Sequence, residues 1–411
     1  MKKILTLGLI LFFLSCGKKH PNVAKNRINL PATSWRFTLD LNGDLLPFNG
    51  TFSDIKDYSA TLTLINADEE IVIDDVQLQN DSVIVPLPFF NTEMKLSIES
   101  PYMLSGVWTN NDKENYHIPL NAEEGQNFRF TPTGSDRNVP SKYFARFELG
   151  TETEYPAILI LENNRGNLTG TFLTETGDYR YLEGNVMNGS IHLSTFDGSH
   201  AFYFRADISG DSLINGLFKS GRHYQTNWEA VADSASELKN PDEISFVIED
   251  QLFDFELPNQ DGEIVNWDKS HLNGKVVVLD IMGTWCPNCM DASRALKELS
   301  KPYSEDDLVV LPVLFEYQDD LAKAKNAFSK YSEELNIPEK FLFGGRASKK
   351  IANEKFPMLN SISSFPTLVF IGRDRHVAQV YTGFYGPGTG DYYTDFIESK
   401  QDLLQTLVNN K

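Results

Sequence analysis

Val276-Val277-Val278-Leu279-Asp280-Ile281-Met282-Gly283-Thr284-Trp285-Cys286-Pro287-Asn288-Cys289 decides the fold of the C-terminal part of the chain. Its first seven residues form an almost continuous apolar run, which predicts a central strand buried on both faces. Gly283-Thr284 breaks the run. From Pro287 to about Lys301, Met290, Ala295, Leu296 and Leu299 recur at helical spacing. Cys286 and Cys289 therefore stand where a buried strand ends and a helix begins.

That position has chemical meaning. Thiolate is the nucleophile in disulfide exchange, and an ordinary cysteine is mostly protonated at neutral pH. Cys286 falls at the expected N-cap, where unpaired backbone N–H groups and the helix dipole favour negative charge. Pro287 suits the first turn, because its missing N–H would have gone unpaired there. The expectation is an exposed Cys286 that attacks and a Cys289, one turn on and deeper, that resolves the mixed disulfide. A zinc site is the competing use of Cys-x-x-Cys. No further cysteine is available to complete it, and the seven histidines show no paired spacing. Neither a metal nor a cofactor is implied.

The chain has three cysteines, and the third is Cys16. Residues 1–15 read as a secretory signal: Lys2 and Lys3, then an apolar stretch from Ile4 to Leu14 too short to span a bilayer. The end of it, Phe13-Leu14-Ser15-Cys16-Gly17, resembles a relaxed bacterial lipobox, which implies acylation of Cys16 and a lipid anchor in the bilayer. Residues 16–33 then form a polar tether. Cell-envelope, periplasm-facing localisation follows, with inner and outer membrane both open. The mature chain can close one internal disulfide, between Cys286 and Cys289, so that bond is chemical rather than a structural staple.

A length of 411 residues suggests two or three domains. The net charge of -20 speaks against nucleic-acid binding, which wants a basic face. From Trp35 to about Ala232 short alternating runs such as Ala60-Thr61-Leu62-Thr63-Leu64 are broken by Gly, Asn and Asp, the signature of antiparallel β-structure. The region also repeats itself at an offset of about 110 residues. Arg36-Phe37 recurs as Arg146-Phe147, Pro47 as Pro156, Asn80-Asp81-Ser82-Val83 as Asn188-Gly189-Ser190-Ile191, and Gly106 as Gly216. The fold class expected is thus multidomain: an all-β N-terminal region of duplicated antiparallel β-structure, barrel or sandwich, followed by an α/β domain. The boundaries expected are 34–133 and 140–233 for the repeats, 234–246 for a linker and 247–411 for the last domain.

Within that last domain, Phe255 to Val265 reads as a hairpin turning on Asp261-Gly262. Leu308 to Phe315 predicts a second buried strand, with Glu316 and Tyr317 in a loop at its end. Leu321 to Leu335 and Ala347 to Phe356 read as helices, Leu368 to Ile371 and Val377 to Gly383 as strands, and Asp391 to Val408 as the closing helix. Gly386-Pro387-Gly388-Thr389-Gly390 lacks phosphate-loop spacing and reads as a flexible loop.

The strand, the Trp285-Cys286-Pro287-Asn288-Cys289 motif and Phe365-Pro366-Thr367 before a strand resemble the thioredoxin superfamily. The opening from Phe255 to Gly274-Lys275 is similar to its TlpA/ResA-like branch of periplasmic thiol–disulfide oxidoreductases. Members from Bacteroidota are often lipoproteins with an added β-rich N-terminal region. The resemblance covers about 160 residues from Ile248 onward. It implies a thioredoxin fold and a reductase of protein disulfides. It also implies partners that carry dithiols or disulfides and an electron donor in the membrane or periplasm. By the same resemblance Asp280 is a buried carboxylate that relays the proton of the resolving thiol; a desolvated Asp can act near neutrality. Pro366 corresponds to a cis-proline facing the cysteines, and Trp285 and Phe365 flank the substrate. Two positions depart from the pattern. Phe365 stands where a smaller or β-branched residue is common. Ala292 stands where many ResA-like reductases carry a Glu, with Asp291 beside it; the acid role falls to Asp280, to Asp291, or to neither.

Two other functions remain open at this point. The hairpin opening is shared with peroxiredoxins, which makes a thiol peroxidase the alternative enzyme. A lipoprotein whose β region binds a ligand or partner, with an accessory redox domain, is the non-enzymatic reading.

Overall fold

The computed structural model describes residues 30–410 apart from 88, 89, 136 and 250. The signal segment and Cys16 lie outside the described residues. Among the described residues no helix is long and apolar enough to cross a membrane.

The first repeat folds as a closed barrel of eight strands. They are β1 (Ser34–Leu41), β2 (Asp44–Ser53), β3 (Ser59–Asn66), β4 (Glu69–Gln79), β5 (Ser82–Pro86), β6 (Thr92–Ser100), β7 (Met103–Asn110) and β8 (His117–Glu124). Each pairs with the next, and β8 returns to β1 with Leu120 opposite Leu39. Closure removes the exposed sheet edges. Alternation along β1 sends Trp35, Phe37, Leu39 and Leu41 inward, all fully buried.

The second repeat comprises β9 (Lys142–Phe147), β10 (Tyr155–Asn164), β11 (Asn167–Thr174), the short β12 (Gly177–Asp178), β13 (Leu182–Met187), β14 (Ser190–Phe196), β15 (Ala201–Ser209), β16 (Ser212–Ser220) and β17 (Tyr224–Ala232). Here β10 pairs with both β9 and β11, and β17 returns to β9, so this ring is closed as well. Sandwich and barrel were both compatible with the sequence; barrels form. The sequence repeats fall on corresponding strands. Asn80 and Asn188 hold the turns before β5 and β14 in the left-handed region, at φ 53° and 52°. Phe147, Phe172, Phe204, Phe218 and Trp228 fill the second interior with packed rings. The two barrels share a seam in which Phe48 stacks on Phe196 at 4.4 Å. The buried Arg129, in the segment between them, donates to Pro47 O and pairs with Glu183 at 2.8 Å.

The C-terminal domain begins with a hairpin of β18 (Leu257–Pro258) and β19 (Ile264–Val265), turning at Gly262 with φ 83°. Its sheet contains β20 (Val276–Met282), β21 (Leu308–Glu316), β22 (Leu342–Arg346), β23 (Thr367–Ile371) and β24 (Val377–Thr382), in the order β22-β21-β20-β23-β24. The pairs β20–β21 and β21–β22 are parallel; β20–β23 and β23–β24 are antiparallel. The edge strand β22 escaped the sequence reading because Gly344-Gly345 interrupts its apolar run. Helices α1 (Pro287–Ser300), α2 (Leu321–Leu335), α3 (Lys349–Lys355) and α4 (Asp391–Asn409) cover the sheet. Alternation along β20 puts Val277, Leu279 and Ile281 in one core. Val276 and Val278 face α1 and α4. Asp280 shares the face of these last two residues, and Ser293 of α1 bonds it there.

Candidate active site

The buried strand β20 delivers Gly283-Thr284-Trp285 and then Cys286, the N-cap of α1, with extended φ of -103°. Pro287 occupies the first turn. Cys286 Sγ accepts the Cys289 N–H at 3.3 Å, so a free helix N–H points at the sulfur. Across the site the Phe365–Pro366 peptide is cis, and Phe365 O lies 3.6 Å from Cys286 Sγ. Both cysteines are free thiols.

Cys286 is not the exposed residue that its N-cap position suggests. It is 6% exposed, packed in one cluster with Phe90 of the first barrel, Trp285, Met290 and Phe365. Burial by a second domain is a long-range event that a local motif does not encode. Cys289 lies deeper, fully buried. Desolvation pushes its thiol pKa well above the ordinary value, reinforced by the hydrogen bond and charge of Cys286 and by the charge of Asp280.

Asp280 is 1% exposed, and burial raises its carboxyl from 3.8 to about 7, opposed by the bond from Ser293 Oγ to Oδ2 at 3.1 Å. Tyr331 OH donates in turn to Ser293 Oγ at 3.0 Å. Asp280 Oδ1 has no hydrogen-bond partner among the described residues. A carboxyl in this state can take or give a proton near neutrality.

A second buried acid stands on the other side of the motif. Glu316, read as a loop residue, is the last residue of β21 and accepts from Thr284 N at 2.9 Å and Thr284 Oγ1 at 3.0 Å. Burial lifts it to about 7. Its neighbour Tyr317 stacks on Trp285 at 4.9 Å, and Trp285 Nε1 donates to Phe315 O at 2.9 Å. The end of β21 therefore lines the site.

The β11–β13 connection of the second barrel seals one flank of the motif. Asn288 Nδ2 donates to Asp178 O at 3.2 Å and to Phe384 O at 3.3 Å. Ser364 Oγ donates to Thr176 O at 2.7 Å. Arg180, 2% exposed, lies beneath this contact. It pairs with Glu69 of the first barrel at 2.5 Å, with Asp197 of the second at 3.5 Å, and with Asp291 of α1. Asp291 thus belongs to a junction of three domains and pairs also with Arg294; it does not bond the cysteines. Within this cluster burial raises Asp178 to about 6 against the pull of Arg180. For Asp197 burial also acts upward, but His200 and Arg180 outweigh it and hold the carboxyl at about 2. Nothing in the sequence marked Arg180, since each partner is remote along the chain.

The opposite flank, beside Trp285, is open. A cleft of about 930 Å³ runs between the first barrel and α2, with Trp285, Thr284, Glu316 and Tyr317 at its inner end. Next to it a smaller chamber of about 390 Å³ is walled by Tyr179, Phe202, Phe218 and Tyr224 of the second barrel and again by Trp285 and Tyr317. No group of three or more His, Cys, Asp and Glu side chains among the described residues could hold a metal ion.

Residues 248–381 match the AhpC/TSA family. With that match, a Cys-x-x-Cys pair capping α1 and a cis-proline opposite it on a five-stranded sheet are together in one domain. The C-terminal domain has the architecture of a thioredoxin fold. Solved structures that resemble this chain align with it over a similar length. A thiol-disulfide oxidoreductase from Bacteroides fragilis is 16% identical, covering 36% of this chain and 99% of its own, with a TM-score of 0.27. A thiol:disulfide interchange protein from Chlorobium tepidum is 17% identical over 39% of this chain and 98% of its own, TM-score 0.28. A secreted thiol-disulfide isomerase from Corynebacterium glutamicum is 15% identical over 42% and 98%, TM-score 0.30. The thioredoxin-like domain carries Cys286, Cys289, Asp280, Trp285, Phe365 and Pro366 together at the end of β20 and the start of β23.

Proposed function

We propose that the protein is a reductase of protein disulfides in the cell envelope, with Cys286 as nucleophile and Cys289 as resolving thiol. The observation that carries this is the Cys286 sulfur on the α1 N-terminus, receiving the Cys289 N–H, above a buried Cys289 and Asp280. The Cys286 thiolate attacks one sulfur of a substrate disulfide. An S–S bond to Cys286 forms, the substrate S–S bond breaks, and the first substrate thiolate leaves and takes a proton from solvent. Asp280, as carboxylate, accepts the Cys289 proton, and the Cys289 thiolate attacks Cys286 Sγ. The Cys286–Cys289 disulfide forms and the second substrate thiolate departs. Two electrons pass to the substrate, and a dithiol donor of the envelope must return them. Trp285, Phe365 and the backbone beside Pro366 would contact the substrate chain. Acylation of Cys16 would hold the protein on a membrane facing the periplasm, with residues 16–33 as tether.

A Cys289→Ser protein should hold a mixed disulfide on Cys286 that mass spectrometry can identify. Absence of any Cys286-linked protein from cells carrying this variant, with exchange of model disulfides also absent in the parent protein, would end the reading. The AhpC/TSA match favours a second enzyme reading, thiol peroxidase. Peroxide consumption at rates above those of free dithiol would support it in place of the reductase. The packed interior of the first barrel weighs against a ligand held inside it.

A further inference from the structure

The open flank carries information about what reaches Cys286. The large cleft has two walls from different domains, and both are acidic. The first barrel contributes Asp74, Asp75, Glu93 and Asp112; α2 contributes Glu333 and Glu334. Lys323 and Lys330 are the bases that line it. Glu93 is offset by an ion pair with Lys95 at 2.6 Å. The two walls repel each other: the Glu334 carboxyl is raised by burial and then by Asp74 and Asp75 across the gap. Two domains of one chain that meet with like charges forgo stabilisation at that surface. Such a cleft concentrates cations and accelerates their encounter. The cleft reaches Trp285, the residue before Cys286, on the flank opposite the one that the second barrel closes over Asn288. At Trp285 and Tyr317 it adjoins the smaller chamber, whose wall combines the rings of Tyr179, Phe202, Phe218 and Tyr224 with Lys113, His200 and His223.

We infer that the disulfide reduced at Cys286 lies in a cationic polypeptide segment, which the acidic cleft between the first barrel and α2 receives in extended form. This inference rests on the reductase reading above. Its volume of about 930 Å³ gives room for several residues of chain. Side chains of Lys or Arg would meet the acidic walls, and an apolar side chain beside the substrate cysteine would enter the aromatic chamber. Anionic disulfides would be repelled from the same entrance.

The test uses the reduced full-length protein and three synthetic peptide disulfides that differ solely in residues flanking the cysteine: lysines, serines or glutamates. At low ionic strength the lysine peptide should be reduced about tenfold faster than the serine peptide, and the glutamate peptide slowest. The differences should collapse in about 0.5 M salt, where screening acts within a few ångströms. A variant with Asp74→Lys, Asp75→Lys, Glu333→Lys and Glu334→Lys should reverse the order of the three peptides, and a denaturant midpoint like the parent's reports that it has folded; a variant that folds and keeps the parent order would overturn the inference. Equal rates for all three peptides at low salt would overturn the cationic substrate and leave the reductase reading standing. Reduction of none of them by a protein whose Cys286 and Cys289 titrate as free thiols would overturn the reductase reading, and this inference with it.

Discussion

The two barrels repeat one architecture, yet they meet the redox domain in different ways. In the first barrel the connection from β3 to β4 is a tight turn at Ala67-Asp68, with Ala67 at φ 50°. In the second barrel the corresponding connection, β11 to β13, spans residues 175–181 and includes β12. That longer connection carries Asp178 and Arg180 and grips Asn288, Phe384 and Ser364 across the domain boundary. The tight turn of the first barrel supplies Glu69 to the same Arg180. One corner of a repeated unit has grown into a clasp; its counterpart has stayed short and packs against the second barrel, where Ala67 N donates to Glu183. A duplicated fold can therefore divide labour through a single connection while its cores remain alike.

The clasp is broken most directly by Arg180→Met. Removing the cation leaves Glu69, Asp197 and Asp291 buried without their common partner, and loss of one member of a buried ion pair costs about 3 to 5 kcal/mol. The denaturant midpoint should fall accordingly. A change of under about 1 kcal/mol would mean that the junction is solvated and the clasp unimportant.

The open flank should respond to pH instead. Glu316 is raised from 4.5 to about 7, so the folded state binds its proton more tightly than the unfolded chain does. The contribution to stability is complete below pH 4.5 and is lost as pH rises through 7. At about 1.4 kcal/mol per unit, the loss is roughly 3 kcal/mol near pH 7.5. Asp280 adds a fall of the same sign, so the informative quantity is the difference between parent and Glu316→Gln. The variant should lack this share of the slope between pH 4.5 and 7.5 in urea titrations; parallel curves would show that Glu316 ionises freely.

The smallest effect belongs to Asn288→Ala. It deletes one hydrogen bond across the closed flank, to Asp178 O, and one within the C-terminal domain, to Phe384 O, and a net loss of about 1 kcal/mol is expected. Hydrogen exchange at residues 176–181 should quicken while exchange in the first barrel stays unchanged. Uniform quickening of both barrels would erase the contrast between them.

The thioredoxin-like domain was legible because its signals are local. A continuous apolar run, a Cys-x-x-Cys pair and an amphipathic helix follow one another within about 25 residues, and each is set by short-range periodicity. The duplication was legible for the same reason. Barrel closure was not, because the pairs that decide it, β1 with β8 and β9 with β17, join remote strands. Glu316 was read as a loop residue because nothing beside it in sequence reveals Thr284. Asp291 drew attention as an acid near the cysteines, but helical geometry turns it toward Arg180. Cys286 shares its buried cluster with Phe90, a residue nearly two hundred positions earlier in another domain.

Asn288 has a consequence for how this redox centre can change. The two residues between the cysteines set the local field on both sulfurs, so exchanging them is the usual way to retune such a centre. Here one of the two is also a fastener between domains. A substitution that adjusts the chemistry also loosens the assembly, and a change in the barrel connection feeds back on the helix that carries the sulfurs. Redox tuning and domain architecture in this chain are inherited together, and a motif transplanted from an isolated thioredoxin-like domain would bring its chemistry without its attachment.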